Sequence, residues 1–146
     1  MPSPDDTSHP ALAALPHGPE FRFLDRLTTL EPGVSGEAEY RVRGDEEFLK
    51  GHFPGAPLMP GVILVEAAAQ LAGVVAQADP SRAPLADLKL TGIRSAKILG
   101  SARPGETLRI ETRILARLGP LIQASATVRV GANVVLQTEI TLAGAA

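Results

Sequence analysis

From Pro60 to about Ala78 the chain reads PGVILVEAAAQLAGVVAQA, apolar on every side rather than along one stripe. A helix with that pattern is buried all round. Its length approaches the roughly 20 apolar residues that cross a bilayer. A lone span would, however, hold Glu66 and Gln70 near the middle of the membrane without a partner helix, at about 3 kcal/mol for the charge alone. The segment is therefore read as the core helix of a globular domain and not as a membrane span. Ala67, Ala68, Ala69, Ala72 and Gly73 make it slim, as suits a helix that a sheet wraps closely.

The flanking segments follow the period of strands. FRFLDRLTTLE (21–31) and GEAEYRVRG (36–44) read as a hairpin around PGVSG. After the loop DPSRAP (79–84) come ADLKLTGIRSAKI, ETLRIETRILARL and LIQASATVRV, the last with its return VVLQTEITLAG. Leu108, Ile110, Thr112 and Ile114 alternate, as do Ile122, Ala124, Ala126, Val128 and Val130. The GAN triplet at 131–133 is a hairpin turn. HPALAALPHG (9–18), with Leu12 and Leu15 three apart, predicts one or two turns of helix, and DEEFLK (45–50) a short helical turn. One long buried helix with about six mostly antiparallel strands makes an α+β fold. Residues 1–10 read as a flexible N-terminal tail and 11–146 as a single domain.

A chain of 146 residues buries an adequate core without cross-links. It has no cysteine, which removes thiolate chemistry, disulfides and most structural zinc sites. No residue pattern calls for a metal or cofactor. The net charge of −2, with both signs interspersed, gives no footprint for nucleic acid. MPSPDDTSHP lacks the basic and apolar regions of an export signal, so a cytoplasmic location is expected. With four Phe and one Tyr, the core must be mainly aliphatic.

Candidate chemistry gathers at GHFPGAPLMPG (51–61) and the helix that follows. The stretch is too rich in Pro and Gly for a regular element, so it is a shaped loop carrying His52. Pro60 suits the first helical position. Gly61 then offers an unpaired amide at the positive end of the helix, with room for a ligand oxygen, which makes an oxyanion site. Glu66 and Gln70 lie on one helical face, where the amide can orient the carboxyl. Apolar surroundings disfavour the charged form, so Glu66 is expected to be at least partly protonated and suited to general acid work. With His52 as base, these are the parts needed to remove a proton α to a thioester and expel a β-hydroxyl as water. From the residues alone a structural histidine and a structural buried Glu remain open.

GHFPGAPLMPGVILVEAAAQLAG resembles the signature HFPGxPxMPGVxxxEAxAQ of the FabZ-type (3R)-3-hydroxyacyl-[acyl-carrier-protein] dehydratases. LPHGPEFRFLDRLTTLEPG and LTGIRSAKILGSARPGETLRIETRIL extend the likeness over about residues 14–143. It implies a hotdog fold, an antiparallel sheet wrapped around one central helix, paired into a homodimer with a continuous sheet. Family members often join three such dimers into a hexamer. It implies catalysis by His52 and Glu66, contributed by opposite subunits, with the thioester carbonyl on the Gly61 amide. Phe53, Pro60, Val62 and Gln70 complete the expected substrate-binding set. The implied partner is acyl carrier protein bearing a hydroxyacyl thioester. Glutamate at 66, rather than aspartate, favours the FabZ-type branch over the isomerising FabA-type branch.

The family opening LPHRYPFLLVDR is LPHGPEFRFLDR here, and GIDKxRF is GIRSAKI, so that Arg94 replaces an Asp and Ile98 an aromatic. These departures bear on the acyl tunnel and the docking surface, not on the catalytic pair. His17, Asp25 and Arg26 are read as structural. Arg94, Lys97, Arg103 and Arg109 either meet an acidic carrier protein or are ordinary surface charge. Two rival functions are a hotdog acyl thioesterase, which has no need of His52 in such a loop, and a non-catalytic acyl-binding protein, which would lack one of the pair.

Overall fold

The computed structural model describes residues 10–50, 55 and 57–145. His52 and Phe53 lie outside the described residues, as do residues 1–9 of the expected tail. Six strands form one sheet: β1 (Arg26–Glu31), β2 (Ser35–Arg41), β3 (Ala86–Ile98), β4 (Thr107–Leu118), β5 (Leu121–Val130) and β6 (Asn133–Ala145). Their order is β1-β2-β4-β5-β6-β3, and every neighbouring pair is antiparallel. The α-helix α1 (Gly61–Gln77) lies between β2 and β3 in sequence and packs against the concave side of the sheet. This is the expected hotdog arrangement.

The sheet wraps the helix because the helix is thin. Ala67, Ala68 and Ala72 are fully buried, as are Leu64, Leu71 and Val75. On β2 the closest approach falls at Gly36, where a Cβ would stand 2.8 Å from Val75 Cγ2. From the sheet, Ala38, Leu108, Ile110, Ile122, Ala124 and Val128 fill the facing layer. Their alternation with charged and hydroxyl residues on the outer face gives each strand its two-residue period.

Two boundaries differ from the sequence reading. Phe21 and Phe23 precede β1 instead of beginning it, because the side chain of Gln70 takes up their backbone: Phe23 N donates to Gln70 Oε1 at 2.8 Å, and Gln70 Nε2 donates to Phe21 O at 2.8 Å. Pro60 is the helix N-cap, with ψ 140°, and Gly61 the first helical residue. Pro60 O accepts from Ile63 N at 2.9 Å, so the extended proline still closes the first turn. The helix C-terminus is capped by tertiary contacts: Gly33 N, at the β1–β2 turn, donates to Val75 O at 2.9 Å, and Arg117 Nη1 donates to Ala76 O at 3.1 Å. A guanidinium there also meets the negative end of the helix dipole.

Candidate active site

Over about three turns, α1 presents Glu66, Ala69, Gln70, Gly73, Val74 and Gln77 along one side, at i, i+3, i+4, i+7, i+8 and i+11. That side lines a cleft of about 690 Å³, closed by Leu15, Pro16 and His17 on one flank and by Leu85, Asp87, Leu88, Lys89, Leu90 and Leu142 on the other. The volume and the mainly apolar walls suit a small-molecule site. Gly73 widens the floor: a Cβ there would lie 3.5 Å from Leu88 Cδ2, and anything longer would enter the cleft. At the far end Gln77 ties helix to strand, donating to Leu85 O at 2.7 Å and accepting from Leu85 N at 2.9 Å.

Glu66 is one of two carboxylates that line this cleft, with Asp87. The Glu66 side chain keeps 20% of its exposure, and its Oε1 meets two groups: His17 Nε2 at 3.2 Å and Gln70 Nε2 at 3.3 Å. Gln70 is 2% exposed and saturated, since its oxygen holds Phe23 N and its nitrogen is shared between Phe21 O and Glu66. The glutamine thus does two jobs, orienting the carboxyl as expected and strapping residues 21–23 across the helix. That strap delivers His17, whose ring lies 6.0 Å from that of Phe21 and whose carbonyl accepts from Arg22 Nη2 at 3.4 Å. The surroundings of Glu66 are therefore not purely apolar. Sequence reasoning assigned His17 to structure; its only signal was its place in the LPHG stretch.

Not every expected substrate position reaches this cleft. Pro60, Gly61 and Val62 sit at the helix start, and Val62 is 72% exposed in the single chain. Among the described residues the Gly61 amide has no acceptor. The space beside its Cα is not open, however, because a Cβ at 61 would overlap Ile98 Cδ1 from the end of β3. The missing side chain admits the strand, while the amide stays at the helix terminus.

Residues 40–50, which precede His52 in the sequence, are held by a buried carboxylate. Glu46 Oε2 accepts from the Tyr40 hydroxyl at 2.6 Å and from Arg43 N at 3.0 Å, while Oε1 accepts from Gly44 N at 2.7 Å. Burial would raise the Glu46 pKa, but these hydrogen bonds outweigh it and hold the carboxyl below its ordinary value. Burial, with the adjoining carboxylate, pushes the Tyr40 hydroxyl well up, so it remains a donor. Phe23 packs edge-on against Tyr40 and Phe48 with ring centroids 5.8 and 5.6 Å apart. Farther along the chain, just before α1, Met59 N donates to Ala102 O at 2.8 Å. The described residues on either side of His52 in the sequence are therefore anchored. Among the described residues no group of His, Asp and Glu is arranged to hold a metal ion.

Comparison with known proteins agrees with this architecture. The FabA-like domain model matches residues 15–139. The chain is 42% identical over 103 residues to the 3-hydroxyacyl-[acyl-carrier-protein] dehydratase FabZ of Chloroflexus aggregans, covering 70% of this chain and 71% of that protein. It is 35% identical over 131 residues to FabZ of Bacillus subtilis, covering 88% and 91%. Among solved structures it resembles the dehydratase heterocomplex ApeI:P from Xenorhabdus doucetiae, with a TM-score of 0.79 at 17% identity over 93% of this chain and 91% of that one. It also resembles Cj0977, a sigma28-regulated virulence protein of Campylobacter jejuni, with a TM-score of 0.71 at 14% identity over 99% and 93%. At such identities these two structures speak to the fold alone. The chain belongs to the FabA-like family and, within it, to the FabZ-type hotdog dehydratases.

Proposed function

We propose that the protein dehydrates (3R)-3-hydroxyacyl thioesters carried on acyl carrier protein to trans-2-enoyl thioesters. The observation that carries this reading is the carboxyl of Glu66, fixed through Oε1 at the wall of an acyl-sized cleft. His52 acts as the base that removes the proton from C2. The Gly61 amide, at the positive end of α1, polarises the thioester carbonyl as charge develops on it. Glu66 protonates the hydroxyl leaving C3. The acyl chain runs along the helix past Ala69 and Gly73, and Phe53, Pro60 and Val62 frame the thioester end.

The site is shared within a homodimer, His52 of one copy meeting Glu66 of the other. β3 is one of the two edge strands, and Ile93 and Ile98 on it are each 53% exposed, with Leu99 at 58% just beyond. An unpaired edge of 13 residues that exposes such side chains is a surface that natural proteins cover. A second β3 fits it and makes the sheet continuous, and three such dimers make the family's hexamer. Among the described residues no helix is long and apolar enough to cross a membrane.

The test supplies a trans-2-enoyl thioester on carrier protein and follows loss of the enoyl absorbance as water adds. Glu66→Gln and His52→Ala are expected to lower kcat by about 10²- to 10⁴-fold each, the usual worth of a positioned acid or base. Near-native turnover in either variant refutes the assigned roles. Release of free thiol in place of hydration would make the protein a thioesterase.

A further inference from the structure

His17 and Glu66 come from segments 49 residues apart, yet the imidazole Nε2 stands 3.2 Å from Glu66 Oε1. Among the described residues, every polar contact to the Glu66 carboxyl falls on Oε1, and Oε2 receives none. The opposite imidazole nitrogen, Nδ1, is buried without a hydrogen-bond partner among those residues. A buried unpaired ring nitrogen is unfavourable, and such groups in folded proteins call for a reason. Here the ring turns its other nitrogen to the carboxyl, and the Gln70 strap on Phe21 and Phe23 fixes the segment that holds the ring there.

We propose that His17 is a positioning residue for Glu66: together with Gln70 it occupies Oε1, so that the transferable proton of the carboxyl resides on Oε2. This rests on the dehydratase reading above and specifies which oxygen works. In the forward reaction the base takes the C2 proton, the C2–H electron pair forms the C2–C3 double bond, and the C3–O bond breaks. The departing hydroxyl takes the proton from Glu66 Oε2 and leaves as water. The protonated base then returns its proton to the carboxylate through solvent, restoring both groups. Two donors on one oxygen make the other the better site for a proton, and they also stop the carboxyl from turning.

Enoyl thioester hydration by wild type, His17→Ala and His17→Gln provides one test. His17→Ala is expected to lower kcat about 10- to 100-fold with little change in KM, because the acid is misplaced while the binding cleft is kept. His17→Gln, whose amide nitrogen can replace Nε2, is expected to recover most of that loss. A kcat for His17→Ala within twofold of wild type overturns the proposal, as does a loss confined to KM or one that glutamine does not rescue in a folded variant. A second readout needs no turnover. The chain has three histidines, and the His17 Nε2–H proton should give an exchange-protected NMR resonance that disappears in Glu66→Ala. Its absence in wild type, or its persistence in Glu66→Ala, refutes the pairing. Wild type that fails to hydrate any enoyl thioester while showing this resonance would instead refute the dehydratase reading.

Discussion

Gln70 is the residue on which site and fold depend together. It is nearly inaccessible, and all of its polar capacity is used within the segment that carries His17 and within Glu66 itself. Gln70→Leu keeps the volume but leaves the buried Phe23 N without a partner, at about 1–3 kcal/mol, and frees the part-buried Phe21 O. Urea denaturation should show a midpoint lowered accordingly, and hydration should fall more than the loss of folded protein explains. Legibility at this scale was uneven. The spacing of Glu66 and Gln70 was visible because a helix places residues four apart on one face. The link to His17 was not, because a side chain from one element satisfies the backbone of another, and no local period records that.

At the scale of elements, the helix and the strands after it were read almost to their ends, since β4, β5 and β6 each bury one face against α1 and alternate over most of their length. The reading failed where backbone groups are satisfied by something other than a ladder, at Phe21–Phe23 and at the extended Pro60 cap. The same helix supplies the cleft floor, so its small residues set both the packing and the width of the cleft. Gly73→Val is expected to leave turnover of a four-carbon enoyl thioester close to wild type and to depress that of long chains, measured as a ratio of kcat/KM values. Equal effects on both lengths would mean that the acyl group does not pass Gly73.

For the molecule as a whole, two properties follow from charge and from edges. Glu46 is held below its ordinary carboxylate pKa of 4.5 in the folded state, burial opposing and the Tyr40, Gly44 and Arg43 hydrogen bonds prevailing. Its contribution to stability is present above that ordinary value and is lost as pH falls through the lowered one. Glu46→Gln should therefore destabilise the protein at neutral pH by about 1–3 kcal/mol, the worth of hydrogen bonds to a charged group. The gap to wild type should narrow on acidification, as followed by denaturant melts across the acid range. The proposed assembly through β3 is the second. Ile93→Lys places a charge on the open edge of β3, and sedimentation should show the single-chain mass together with loss of hydration. Retained activity at that mass would mean that one chain holds a complete site. The edge itself was legible only through resemblance, because periodicity reports which face of a strand is buried and not which strand lies last.

The hairpin turns of this sheet are not equivalent as places to cut or lengthen the chain. At the β1–β2 turn, Gly33 has a φ of +75°, and its amide closes the C-terminus of α1. At the β5–β6 turn, Gly131 has a φ of +58° with nothing within 4 Å of where a side chain would begin. A peptide tag, a fluorophore loop or new chain termini belong at the second turn, where only the hairpin would register the change. The same graft at Gly33 would uncap the central helix from its far end, sixteen residues beyond the amide that starts it.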